Sequence, residues 1–326
     1  MNESKVREVA AGIYVVHLPL PMKPTIVNVT LMRSGGEWAL VDTGVNTEDS
    51  LAALLAAMEH VGCPVGKLSK LIATHHHPDH FGASRRLKEL TGAPVYMHAL
   101  EYEASTHYAP QEHSDEAIRF FLQNGIPLQR FARVPSAGEF WSQLYAPVQP
   151  DHLISDGEVL RLGDLEIEIV ATPGHTPGHC VLYLRRQKIM IAGDHLLPKI
   201  TPHVGFFPGG PENPLADFLE SQQKIQRYDV EMVLPAHGGT FADHRYRARQ
   251  IAQHHDYRLR EMLDVVRRAP HTAYDVARQA FGFDIDGPLQ VQFPATFETL
   301  AHLEYMRQQG TIVREEREEK LYYRAA

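Results

Sequence analysis

The opening of the chain is dominated by β-branched and aromatic apolar residues. "GIYVVHLPL" and "TIVNVTLMRSGGEWALVDTG" are broken only by Pro and Gly-Gly, which predicts strands joined by tight turns. "NTEDSLAALLAAMEHVG" then switches to a helical pattern. Asn46 or Thr47 is its N-cap, acids fill its first turn, and Gly62 follows its end. "KLSKLIATHHHPDH" reads as a short apolar strand running into a histidine-rich loop, "GASRRLKELTG" as a helix closed by Gly92, and "APVYMHA" as a further strand. This alternation predicts an α/β layered fold. Residues of about 100–150 break the rhythm with helical pieces, Pro, Gly and many aromatics, and read as an insertion packed on the main body. Strands resume from Asp156 in "GEVLRLGDLEIEIVATPGH" and "CVLYLRRQKIMIAGDHL". The helix "NPLADFLESQQKIQRYD" and the short strand "VEMVLPAHGG" follow. Beyond about Asp243 come a long polar helix, two shorter helices and a hairpin, "TIVREEREEKLYYRA", which is the order of a winged helix. The expected division is residues 1–242 and residues 243–326.

Composition narrows the class. The chain has 326 residues, 44% hydrophobic and 22% charged, and a formal net charge of −8. That balance fits a soluble globular protein and argues against a general nucleic-acid or anionic-membrane binder. Two cysteines, Cys63 and Cys180, cannot build a disulfide framework or a four-thiolate zinc site, and read as buried small apolar residues. Neither a signal peptide nor a membrane-spanning run is evident, so a cytoplasmic location is expected.

The chemistry begins in "THHHPDHFGA", Thr74 to Ala83. Histidines spaced i, i+2 at a strand end, His75 and His77, can point the same way toward one cation. Asp79 and His80, just beyond, suit a second cation a few ångströms away, with Pro78 stiffening the turn between the pairs. His76, the middle of the triplet, is expected to point away. More ligands must come from later strand ends, and three stretches supply them. "ATPGHTPGH" offers His175, "MIAGDHL" offers Asp194 and "VLPAHGG" offers His237, each an apolar run ending in a ligand-type residue beside Gly. A carboxylate can bridge two cations, so the set closes: His75, His77, His175 and Asp194 on one metal, and Asp79, His80, His237 and Asp194 on the other. Imidazole-rich ligation suits zinc, with iron or manganese as alternatives.

In this order, "THHHPDH", "TPGHTPGH", "AGDH" and "LPAHGG" resemble the metal motifs of the metallo-β-lactamase superfamily over residues of about 8–240. The resemblance implies a four-layer αβ/βα sandwich with the metals at one edge of its two sheets. It marks Asp42, in "VDTG", as a support for the ligands, and it uses His175 rather than His179. His195 and His203 stay ambiguous, and His203 could line the pocket. The tail is similar to that of β-lactamase-like hydrolases with a C-terminal winged helix, which implies a packing or dimer element and a possible homodimer. By the same resemblance, Asp194 marks glyoxalase-II-like, lactonase-like and nuclease-like branches rather than true β-lactamases.

The expected function is metal-dependent hydrolysis of a small ester, thioester or lactone, phosphoesters included as side substrates. A hydroxide shared by the two cations is the nucleophile, with Asp79 orienting it or carrying its proton. Phe120, Phe121, Phe131, Phe140, Trp141 and Tyr145 are candidates for an apolar lid. A catalytic Cys180 is not expected. The alternatives are an endoribonuclease on single-stranded RNA and a DNA-binding regulator. From Pro270 onward, nine acidic side chains against six basic ones speak against both, as does a hairpin tip offering four Glu to solvent. A small-molecule substrate, and no strong nucleic-acid or membrane partner, is therefore expected.

Overall fold

The structure, a computed structural model, describes residues 6–107, 115–127, 143–283 and 289–326. Seven strands form one sheet in chain order: β1 Val6–Ala10, β2 Ile13–Pro19, β3 Ile26–Ser34, β4 Glu37–Val41, β5 Leu68–Ile72, β6 Val95–His98 and β7 His152–Ile154. The first four pair antiparallel, while β4 to β7 run parallel. Parallel neighbours need crossovers. These are helices α1 Glu48–His60, the single turn α2 Pro78–Phe81, α3 Ser84–Thr91 and α4 Ala99–His107. Thr47 caps α1 by accepting from the Ser50 N–H at 3.3 Å, and Gly62 follows its end at φ 73°.

Five strands form the second sheet. β8 Val159–Leu162, β9 Leu165–Ala171, β10 Cys180–Leu184 and β11 Ile189–Gly193 are antiparallel, and β12 Met232–Pro235 lies parallel to β11. Its helices are α6 Pro214–Ile225 and α7 His244–Arg268.

Period-two alternation makes the layers. Ile13 and Val15 of β2 meet Leu182 and Leu184 of β10 and Ile189 and Ile191 of β11 in the core between the sheets. Val16 and Leu18, one residue out of phase, pack instead against Leu51, Leu54 and Met58 of α1. On the far side, Val181, Tyr183 and Met190 pack against Leu215 and Phe218 of α6 and Ile251 of α7. The result is the helix–sheet–sheet–helix order expected from the sequence. Cys180 points into the core between the sheets and Cys63 lies in the core under α1.

Two helices and a hairpin follow α7: α8 Ala273–Phe281 and α9 Leu289–Gln308, then β13 Ile312–Arg317 and β14 Lys320–Ala325. Glu304 of α9 is 2% exposed. It accepts from Arg307 Nε at 2.6 Å, Arg314 Nη1 at 2.8 Å and Tyr323 Oη at 2.9 Å, which ties the helix to both strands. The hairpin corrects one expectation: Glu316, Glu318 and Glu319 face solvent, but Glu315 is half-buried and pairs with Arg317 and Arg324. Among the described residues, no helix is long and apolar enough to cross a membrane.

The 100–150 stretch also differs from its expected place. Helix α5, Asp115–Gln123, does not cap the main body alone. Phe120 stacks at 6.5 Å on Phe206 and at 6.4 Å on Phe297 of α9, and Phe121 lies 5.7 Å from both Phe293 and Phe297. The Asn124 carbonyl accepts from the Tyr274 N–H of α8. Tyr145 instead packs in the core under α1, apart from those rings. Phe131, Phe140 and Trp141 lie outside the described residues.

Candidate metal centre

Strands β5, β9, β11 and β12 all end at one edge of the two sheets, and the loops that leave them converge there. His75 and His77 follow β5, and Asp79 and His80 lie in α2. His175 follows β9, Asp194 follows β11, and His237 follows β12. The glycines beside these ligands do more than turn the chain. A Cβ at Gly174 (φ 128°) would sit 2.4 Å from the Phe218 backbone, and one at Gly193 (φ 50°) 2.7 Å from the His179 ring. Only glycine lets these loops come so close.

Three imidazoles form the first group. His77 Nδ1 lies 3.0 Å from His75 Nε2 and 3.0 Å from His175 Nε2. The second group is Asp79, His80 and His237, in which Asp79 Oδ2 lies 3.2 Å from His237 Nε2 and 3.7 Å from His80 Nε2. Asp194 stands between them. Its Oδ2 is 3.7 Å from His175 and 3.6 Å from His80, and its Oδ1 is 3.5 Å from His237. All seven residues selected from the sequence therefore meet at one place.

The outer hydrogen bonds fix which ring nitrogen faces inward. His175 Nδ1 donates to the His203 carbonyl at 2.7 Å, and His237 Nδ1 to the Ile26 carbonyl at 3.0 Å. His80 Nδ1 donates to Asp42 Oδ2 at 2.8 Å. Asp42, at φ 62°, also accepts from the Thr74 N–H and hydroxyl, and Thr74 Oγ1 lies 3.1 Å from His75 Nδ1. Each such bond commits Nδ1 outward and leaves an Nε2 lone pair for the cluster, as metal-ligating histidines require.

The electrostatics call for a cation. Burial pushes the His75 and His77 pKa values far down, reinforced by the neighbouring imidazoles. Burial also works against a charged His80, yet Asp79, Asp194 and Asp42 together drive it well above the usual histidine range. A cation among these carboxylates would take the place of that proton and free the His80 Nε2 lone pair. His80 Nε2 and Asp194 Oδ1 are buried without a hydrogen-bond partner. The donor set, its tautomers and its bare inward atoms fit a divalent cation of zinc type.

Several residues hold the loops without joining these groups. His76 donates from Nδ1 to Glu101 Oε2 at 2.6 Å. Glu101, fully buried on α4, also accepts from the His76 N–H at 2.8 Å and the Gly178 N–H at 2.6 Å, so it splints the two histidine loops together. Asn28 of β3 donates to the Pro235 and Gly238 carbonyls at 2.9 and 2.7 Å and pins the loop of His237. His179 Nε2 accepts from the Asp194 N–H at 3.2 Å. His195 is fully buried beneath, and burial pushes it down to about 3. His203 supplies the carbonyl for His175, and its ring donates to the Pro294 carbonyl. Neither Glu101 nor Asn28 was selected from the sequence. A polar residue inside the apolar run "IVNVT" is the one signal that could have flagged Asn28.

Fold and site together define a metallo-hydrolase architecture. The metallo-beta-lactamase superfamily model matches residues 22–237, and a metallo-beta-lactamase-like C-terminal domain model matches residues 259–325. The chain belongs to the metallo-β-lactamase superfamily. It is similar to the crystal structure of a metallo-beta-lactamase family protein from Thermus thermophilus. That likeness has a TM-score of 0.86 and 30% identity, and covers 98% of this chain and 100% of that one. It is 24% identical to the probable metallo-hydrolase YqjP of Bacillus subtilis, over 91% of this chain and 92% of the relative. It is 27% identical to the acyl-coenzyme A thioesterase MBLAC2 of Gallus gallus, over 67% of this chain and 74% of that protein.

Proposed function

We propose that the protein is a dinuclear metal-dependent hydrolase of a small acyl ester, thioester or lactone, with zinc as its metal. The observation that carries this reading is the Asp194 carboxylate, which turns one oxygen to His175 and His80 and the other to His237. His75, His77 and His175 would hold one cation and Asp79, His80 and His237 the other, with Asp194 shared. Such a pair would polarise a carbonyl oxygen and bring the pKa of water toward neutrality.

The chain's own groups complete the site. The carbonyls of His203 and Ile26 keep the Nδ1 protons of His175 and His237 outward. Burial alone would raise the Asp79 carboxyl, but the facing His80 and the hydrogen bond from His237 outweigh it and hold it below the usual range. Its side chain is 25% exposed against 13% for Asp194, so Asp79 is the carboxylate placed to pass a proton to a departing group.

Two features favour an acyl thioester within this class. Phe206, Phe207, Phe297 and Phe120 form a ring cluster beside His203, whose carbonyl anchors His175. Phe207 is 43% exposed, an apolar surface suited to an acyl chain. The thioesterase named among the relatives points the same way. The exposed glutamates of the hairpin tip disfavour RNA. The test is turnover by zinc-loaded protein of acyl-CoA thioesters, lactones, aryl esters and single-stranded RNA. Acyl cleavage abolished by chelator is expected. Cleavage of RNA alone, or of nothing, would overturn the reading.

A further inference from the structure

A second set of ligand-type side chains lies away from the sheet edge, between the C-terminal helices. His255 of α7 and Glu298 and His302 of α9 each bring a donor atom within 4.8 Å of the other two. Glu298 and His302 are four residues apart and share one face of α9, and His255 meets them from α7. Both histidines are fully buried.

The local bonding repeats the logic of the sheet-edge cluster. His302 Nδ1 donates to the Glu298 backbone carbonyl at 2.7 Å, so His302 Nε2 accepts the hydrogen bond from His255 Nδ1 at 3.1 Å, and these two facing nitrogens are the pair a cation would take. The same device, an Nδ1 proton spent on a backbone carbonyl, orients His175 and His237. Two nitrogens bound to one zinc at about 2.0–2.1 Å in a tetrahedron stand roughly 3.3 Å apart, close to that separation.

The protein by itself leaves one ring nitrogen of the set unpaired. His255 Nε2 is buried without a hydrogen-bond partner. The charge of Arg258 reaches Glu298, but its Nη1 is spent on Glu261 and the Ala280 carbonyl. Burial pushes Glu298 up to about 7, His302 down to about 4 and His255 down to about 2. A cation here would meet neutral imidazoles and take the place of the proton that burial favours on Glu298.

We propose that His255, Glu298 and His302 form a zinc-binding site that clamps α7 to α9, separate from the sheet-edge cluster. Two imidazoles and a carboxylate are a donor set for a borderline transition-metal ion rather than calcium or magnesium. The clamp also backs the catalytic edge. The His255 ring packs 5.4 Å from Phe218 of α6, and Phe218 packs 5.3 Å from His195, the neighbour of Asp194.

The test is zinc per chain by elemental analysis, after metal stripping, reloading with zinc and removal of the excess. Glu298→Gln and His302→Gln should each hold one zinc fewer than the wild type. A sheet-edge variant, His75→Ala combined with His80→Ala and Asp194→Ala, should keep one zinc that adding Glu298→Gln removes. Zinc should raise the melting temperature of that sheet-edge variant, and not once Glu298→Gln is added. Equal zinc in wild type, Glu298→Gln and His302→Gln would overturn the proposal. Should His302→Gln fail to fold, the near-isosteric Glu298→Gln decides alone. The readout is a difference at α7 and α9, so it stands whether or not the sheet-edge cluster proves dinuclear.

Discussion

The sheet-edge cluster and the inter-helix cluster bury the same kinds of side chain on different supports. At the edge, seven groups arrive on loops and one short turn from four strand ends, and Asp42, Glu101 and Asn28 brace them from outside. Between α7 and α9, two side chains come from successive turns of one helix and one from its neighbour, with a backbone carbonyl as the brace. Loops can place many ligands but need splints. Helices place few ligands with little help, since the backbone is already fixed. The edge cluster also concentrates Asp79 and Asp194 and is partly open to solvent, whereas His255 and His302 are sealed. On the proposed reading, chemistry on a substrate belongs to the open cluster and a structural role to the closed one.

The sharpest way to break that contrast is Asp194→Ala. If its carboxylate is what makes two ligand groups into one site, the variant loses metal and activity together, with kcat/KM down on the order of 10³-fold or more. Elemental analysis and turnover on one sample check this, and a variant that keeps full activity would refute the shared role. Fold and thermal stability should change far less than activity, because Asp194 braces no loop.

Glu101→Gln probes the splint and should cost less activity but more stability. The carboxylate is fully buried and accepts three hydrogen bonds, two from His76 and one from Gly178. Burial alone would raise its pKa, and His76 with these bonds holds it below the usual range. Gln keeps the shape but lacks the charge and turns one acceptor into a donor. We expect a loss of about 3 kcal/mol in unfolding free energy and roughly 10–100-fold in metal affinity. Denaturant melts and zinc titration measure the two, and an unchanged metal affinity would reduce Glu101 to a fold residue.

The same contrast explains what could be read in the sequence. His75 to His80 are neighbours in the chain, and His175, Asp194 and His237 each end an apolar run beside Gly, so position and type together mark them. The layered sheets were equally legible, since period-two patterning assigns each strand two faces. Glu101 carries no such mark: it is one acid in "ALEYEASTH", and its role depends on the meeting of two distant loops. The docking of α5 on α8 and α9 was missed for the same reason, because periodicity gives an apolar face and not its partner. In the inter-helix set, the spacing of Glu298 and His302 is visible along the chain, but His255 is 43 residues from Glu298 and only the packing of α7 on α9 joins them.

Cys180 gives the smallest expected effect and tests how far the catalytic edge extends inward. It begins β10, eight residues after Thr172 and one after His179, close enough in sequence to be mistaken for a nucleophile. Its side chain points the other way, into the core with Leu182 and Ile169, and its Sγ approaches the Gly178 carbonyl at 3.3 Å. Burial first, then Glu101 and Asp156, push the thiol well above the usual cysteine range, so no thiolate forms near neutral pH. Cys180→Ala should therefore leave kcat and KM unchanged and cost about 1 kcal/mol of stability through the small cavity it opens. A large fall in kcat with intact folding would move the boundary of the reactive edge one strand deeper than its hydrogen bonds place it.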